Sequence, residues 1–178
     1  MNVELMLLTV LQGLRAQILD AGMLFFTHLG DAGFIWAALT AVLLVFRRTR
    51  RVGCVLAAAL LVDAVLCNLI LKPLVARIRP CDILADVQLL ISRPDDFSFP
   101  SGHTAASFAS VTALWLAGKK RWAMAALPLA VLITFSRMYL CVHFPTDILG
   151  GAVLGTACGW LGAWAIKKLE ERRTVRPR

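Results

Sequence analysis

Apolar runs long enough to enter a bilayer, separated by short clusters of arginine and lysine, constrain this chain more than any other feature. A spanning helix needs about 20 predominantly apolar residues. Five stretches approach that length: residues 21–46, 52–75, 101–118, 122–136 and 145–166. The chain is 59% hydrophobic with a mean hydropathy of +0.74, too apolar for an ordinary soluble domain. The pattern predicts an all-α fold: a polytopic membrane helical bundle of about five transmembrane helices, forming one domain over residues 1–178. Residues 2–20 read differently. Val3, Met6, Leu7, Val10, Leu11, Leu14 and Ile18 recur at helical spacing, while Glu4, Gln12, Arg15 and Asp20 interrupt the run. This predicts an amphipathic helix lying in the interface, with a sixth span as the alternative. No basic segment precedes these apolar residues, which argues against a cleaved signal peptide.

The formal charge of +8 does not point to nucleic acid, because the basic residues sit between the apolar runs. Thirteen of the 19 Lys and Arg fall at 47–51, 119–121 and in the tail from Lys167 onward. By the positive-inside rule these segments are cytoplasmic, which places the N-terminus and the 80–100 segment outside. Trp115, Trp122, Trp160 and Trp164 lie near the cytoplasmic ends of their spans, as an aromatic belt would. Lys72, Arg79 and Arg137 break this bias at the outer edge. Snorkelling to headgroups would explain them, and so would an anion site.

Three polar segments fall at that outer edge: Lys72 to Pro80, Pro100 to His103, and Ser136 to Asp147. In the last, Pro145 is placed to open a helix, which puts Asp147 on its first turn, near enough to His143 to accept a hydrogen bond. A carboxylate behind an imidazole fixes its tautomer and stabilises its cation. A helix-capping aspartate beside an interfacial histidine is the plainer alternative. Together the segments offer two histidines, a carboxylate, three cations, a hydroxyl and a helix start. The inventory suits phosphoryl transfer, where catalysis is mostly positioning and charge stabilisation. Arginine forks match phosphate oxygens, and a helix N-terminus with a glycine offers free N–H groups. One histidine can attack while the other protonates the leaving oxygen.

The pattern Lys72-x6-Arg79-Pro80, Pro100-Ser101-Gly102-His103 and Ser136-Arg137-x5-His143-x3-Asp147 resembles the type 2 phosphatidic acid phosphatase superfamily, which also includes vanadium haloperoxidases. The resemblance implies His143 as the nucleophile that becomes phosphohistidine, Asp147 as its orienting carboxylate and His103 as the general acid. It implies that Lys72, Arg79, Arg137, Ser101 and the Gly102 N–H hold the phosphate oxygens, with no metal and no cofactor. Arg77, inside the variable part of the first motif, receives no role. The implied enzyme is a bacterial cell-membrane phosphatase with its site on the extracytoplasmic side. Its substrate would be a lipid phosphate or diphosphate, such as undecaprenyl diphosphate, phosphatidylglycerophosphate or phosphatidic acid. A lipid phosphotransferase, a vanadate-dependent peroxidase and a non-enzymatic lipid-binding protein are the rivals.

The remaining polar residues inside the spans carry no catalytic expectation. Asp63 and Asn68 are intramembrane functional candidates for which a helix–helix hydrogen bond is an equal alternative, and Asp31 and His28 either line the site or, as the safer reading, make helix–helix hydrogen bonds. Gly151, Gly155 and Gly159 form a face for close helix packing. Cys54, Cys67 and Cys158 read as small core residues, and no cysteine spacing suggests a metal. Cys81 and Cys141 are expected near the same outer site, where a disulfide between them is a hypothesis.

Overall fold

The computed structural model describes residues 3–84 and 87–174, so Arg176 and Arg178 of the basic tail lie outside the described residues. The chain is helical, with no strand among those residues. Helix α1 (Val3–Gly13) is followed by α2 (Gln17–Gly30), a 3₁₀ turn at Asp31–Gly33, α3 (Phe34–Val45) and α4 (Arg50–Asp63). Helix α4 continues through a π-helical stretch, Ala64–Leu71, into α5 (Lys72–Val75). After the short α6 (Pro80–Ile83) come α7 (Gly102–Leu116), α8 (Lys120–Tyr139) and α9 (Pro145–Thr174).

Among the described residues, four segments are long and apolar enough to cross a membrane: Gln17–Val45, Arg50–Ile83, Lys120–Tyr139 and Pro145–Arg173. They match four of the five expected spans. The fifth, over 101–118, is the 15-residue α7. At 1.5 Å per residue it is about 22 Å long, short of a ~30 Å hydrocarbon core. It is the central element of the bundle, with Ala105, Ala109, Ser110 and Ala113 fully buried. A helix enclosed by neighbours need not match the lipid thickness. Along it α9 packs on its glycine face. A Cβ on Gly155 would fall 2.1 Å from the Ala105 carbonyl oxygen, so only glycine permits this approach.

Helix α1 is too short to span, which removes the sixth-span alternative. Its bounds differ from expectation, because the helix breaks at Gly13 and residues 17–20 open the first spanning segment instead. Leu8 is fully buried against Cys141 and Phe144, while Val3, Met6, Leu7 and Val10 are exposed, as an interfacial helix requires. Large apolar side chains such as Phe25, Leu69, Leu149 and Val153 are likewise exposed on the bundle surface, where lipid would meet them.

At one end of the bundle Arg51 pairs with Glu170, and Lys119 and Lys120 lie over Trp122 and Trp115. The polar segments collect at the other end. Two backbone features shape it. The 3₁₀ turn carries positive φ at Ala32 (49°) and Gly33 (69°), which kinks the first span. Pro73 near the start of α5 lacks the N–H that an α-helix would use. The helix ahead of it widens accordingly, so that Lys72 N–H bonds to the Cys67 carbonyl, five residues back. Helix α5 then ends at Ala76, in the left-handed region with φ 48°.

Candidate active site

The three motifs converge. Lys72, Arg79, Gly102, His103, Arg137 and His143 line one cavity of about 1170 Å³, together with Asp31, Asp63, Asn68 and Asp96. From this polar end the cavity continues between α3 and α4 past Ala37, Ala41, Leu44, Ala57, Leu60 and Leu61.

His143 lies in the corner between α8 and α9. Its Nε2 is 3.2 Å from Arg79 Nη1, which also donates to the Val142 carbonyl at 2.7 Å. A guanidinium can only donate, so this contact assigns the Nε2 lone pair as acceptor and the ring proton to Nδ1. Burial, opposed by Asp147 but reinforced by Arg79 and Arg137, brings the His143 pKa down to about 4, so the ring is neutral at pH 7.

Asp147 does begin α9 beside His143, but its Oδ2 stands 3.6 Å from Nδ1, beyond hydrogen-bond reach, and Nδ1 has no partner. The carboxylate is fully buried and held by others. Oδ2 accepts the Phe144 N–H at 2.8 Å and the Ser98 hydroxyl at 2.5 Å, and Oδ1 accepts Arg77 Nη1 at 2.6 Å. The capping reading is therefore realised, whereas the carboxylate faces His143 without the hydrogen bond expected from its ring. Arg77, to which the sequence assigned nothing, is on this carboxylate.

His103 stands on the first turn of α7, with Nε2 3.0 Å from Asp31 Oδ1. Asp31 thus lines the site as the partner of a site histidine, one of the two readings the sequence allowed for it. Gly30 makes room, since a Cβ there would lie 2.6 Å from His103 Cδ2. His28 lines the cavity while its Nδ1 contacts the Leu24 carbonyl of its own helix.

The cations differ in their partners. Lys72 and Arg79 both pair with Asp96, a residue the sequence reading passed over; Lys72 meets Oδ2, and Arg79 Nη2 meets Oδ1 at 2.5 Å. Burial works to raise the Asp96 pKa, but Lys72 and Arg79 hold it at about 2. Arg137 is buried, donates to the Thr27 hydroxyl, and has no ion-pair partner among the described residues; its Nε bonds to nothing. Ser101 is fully buried, its Oγ accepting the Thr104 hydroxyl at 3.0 Å, which leaves its own proton free to donate. A Cβ on Gly102 would stand 3.8 Å from Lys72 Nζ, so its bare backbone sits close beside that cation. Asp63 is buried in the cavity wall with Oδ1 unpartnered, so no helix–helix bond reaches that atom. Cys81 and Cys141 carry free thiols. They pack into different clusters, Cys81 with Tyr139 and Leu140 and Cys141 with Leu8 and Phe144, so the sequence hypothesis of a bond between them is not met. Among the described residues no three His, Cys, Asp or Glu side chains gather as a metal site.

A helical membrane bundle that gathers His103, His143, Lys72, Arg79 and Arg137 at one polar end belongs to a class of membrane proteins suited to handling anions. The chain belongs to the PAP2 superfamily, whose model matches residues 51–171. It is 33% identical to undecaprenyl-diphosphatase of Sulfolobus acidocaldarius over 156 residues, which is 84% of this chain and 75% of that one. Its fold is similar to the crystal structure of Aquifex aeolicus LpxE, with a TM-score of 0.78 and 32% identity over 91% of this chain and 95% of that one. It is also similar to the first transmembrane PAP2 type phosphatidylglycerolphosphate phosphatase structure, from Bacillus subtilis, with a TM-score of 0.73, 29% identity and coverage of 96% and 85%. The expected superfamily, the multi-pass helical fold and the lipid phosphatase character of the relatives all hold.

Proposed function

We propose that this protein hydrolyses a lipid phosphate or diphosphate through a phosphohistidine at His143, without a metal, at the extracytoplasmic face of the cell membrane. The carrying observation is the shape and chemistry of one cavity, cationic at the bundle end and apolar between α3 and α4. A phosphate fits the first part and an acyl or prenyl tail the second, where the substrate stays in lipid while its headgroup enters the site. The names of the similar proteins support this substrate class.

In the proposed reaction Lys72, Arg79, Arg137, the Ser101 hydroxyl and the Gly102 N–H hold the phosphate oxygens. The His143 Nε2 lone pair forms the N–P bond as the P–O bond to the leaving group breaks. His103 gives its proton to that leaving oxygen. Water then attacks phosphorus, His103 takes the water proton, and the N–P bond breaks to release orthophosphate. Arg137 contributes most to anion binding, because no carboxylate forms an ion pair with it among the described residues.

The test is a phosphate-release screen across lipid monophosphates and diphosphates, with purified protein in detergent, no acceptor lipid, and EDTA present. Release of orthophosphate is expected. No release without an acceptor would make the protein a phosphotransferase, and loss in EDTA with rescue by magnesium or zinc would overturn the metal-free reading. Sidedness is tested by cysteine labelling from outside. Position 88 should react and position 49 should not, and the reverse result would place the site on the cytoplasmic face.

A further inference from the structure

We propose that Arg77 is a positioning residue that acts on His143 through Asp147, with Glu4 of the N-terminal helix as its counter-charge. The inference rests on His143 being the nucleophile. Arg77 lies in the non-helical segment between α5 and α6, outside the cavity lining. One guanidinium nitrogen, Nη1, donates to Asp147 Oδ1 and to Thr146 Oγ1, both at 2.6 Å. The other, Nη2, donates to Glu4 Oε2 at 2.7 Å. The guanidinium lies over the Phe144 ring, 4.0 Å from its centroid. Glu4 closes the ring of contacts, its Oε1 accepting the Thr146 N–H at 3.0 Å and the Thr146 hydroxyl at 2.6 Å.

The chemistry of a nucleophilic histidine explains why such a contact matters. A bare carboxylate beside an imidazole favours the imidazolium, and an imidazolium has no lone pair with which to attack. Asp147 must therefore stay close enough to stabilise the positive charge that develops during attack, yet not protonate the ring beforehand. Arg77 offsets part of the Asp147 charge and fixes Oδ1, while Ser98 and the Phe144 N–H fix Oδ2. Glu4 in turn draws part of the Arg77 charge away. Because Glu4 stands on α1, docking of that helix through Leu8 is coupled to the charge state of the nucleophile. The other charged and titratable groups facing His143 are Arg79 from the segment after α5, Arg137 from α8 and His103 from α7. None of them touches Asp147, so Arg77 acts by a separate route.

Two variants should move the acid limb of kcat/KM in opposite directions. Arg77→Gln removes a cation from Asp147, so His143 protonates more readily and the acid limb rises by about one pH unit, the shift a removed neighbouring charge gives. Glu4→Gln frees Arg77 for Asp147, so the limb falls by a smaller amount, while Arg77→Lys lies between wild type and Arg77→Gln. Full-length protein in detergent and a short-chain phosphatidic acid serve for all four, so the ionisation of the substrate cancels between variants. Trapping of labelled phosphoenzyme is run in parallel on wild type and His143→Gln. Absence of His143-dependent label in wild type would overturn the nucleophile assignment itself. Label present in wild type, with the limb unmoved or moved the same way by Arg77→Gln and Glu4→Gln, would overturn the role of Arg77 and leave that assignment standing. If Arg77→Gln fails to fold, Glu4→Gln alone decides: a fall supports the proposal, and a rise or no change refutes it.

Discussion

The two imidazoles of the site are held in opposite ways. The partner of His143 is fully buried, and four polar groups surround it: the Ser98 hydroxyl, the Phe144 N–H, Arg77 and the ring itself. The partner of His103 is Asp31, 55% exposed, standing on a turn with two positive-φ residues and touching the ring through one contact. The ion pair that anchors this carboxylate is with Arg77, and removing one partner of a buried pair costs roughly 3–5 kcal/mol. An exposed pair is worth about 0–1 kcal/mol. The first arm is therefore fixed and the second adjustable. That division suits the proposed roles. A nucleophile must meet the same phosphorus in every turnover, whereas an acid must meet leaving oxygens that differ between a monophosphate and a diphosphate.

The largest effect should come from breaking the fixed arm. His143→Gln should abolish the covalent phosphoenzyme and reduce phosphate release to background, measured by trapping labelled enzyme in acid-free conditions. Label retained in that variant would move the nucleophile elsewhere. On the adjustable arm, His103→Gln should lose about 10²–10⁴-fold on a lipid phosphate, whose alkoxide needs a proton. The same variant should stay far more active on an aryl phosphate, whose phenolate leaves unaided. Equal losses on the two substrates would mean that His103 is not the acid.

The contrast between the arms also explains what could be read in the sequence. The spans followed from hydropathy, and the motif residues from a family resemblance carried by short runs, because both are local in the chain. The 15-residue α7 is shorter than the apolar stretch suggested, since hydropathy counts apolar residues and cannot tell a lipid-facing helix from an enclosed one. Asp31 meets His103 across 72 residues of chain, and no periodicity encodes that meeting. Arg77 was more accessible to reasoning. Residues two apart on a non-helical segment can share a side, and Arg77 and Arg79 both face the α8–α9 corner while Ile78 between them is exposed. Asp96 gave no signal, because a loop acid acquires meaning only when the cations it meets are known.

A smaller effect should sharpen the comparison from the adjustable side. Asp31→Asn removes the charge but keeps a hydrogen-bonding side chain, so His103 stays roughly in place and becomes a poorer proton holder. A loss of about tenfold in kcat is expected on lipid phosphate, with KM little changed. If KM rises instead and kcat is preserved, Asp31 contacts the headgroup and does not serve the histidine.

The smallest effect should arise at Asp96, which belongs to neither arm and occupies the cradle between them. With a pKa of about 2 it is ionised at any pH where the enzyme would work. It pairs with two of the three cations proposed to hold the phosphate, Lys72 and Arg79, and its side chain is 50% exposed. An incoming phosphate must displace it or share those cations with it. In Asp96→Asn the amide still fills the space but no longer competes as an anion. Inorganic phosphate and vanadate should then inhibit roughly 3–10-fold more tightly, a gain near 1 kcal/mol, and KM for a lipid phosphate should fall in step. Turnover should not rise, because product orthophosphate is held by the same strengthened cradle. Inhibition constants for phosphate measured on the two proteins at equal ionic strength decide the matter. Weaker inhibition in the variant, with a raised KM, would show that Asp96 orients Lys72 and Arg79 for the phosphate, and that its charge guides the cradle instead of competing for it.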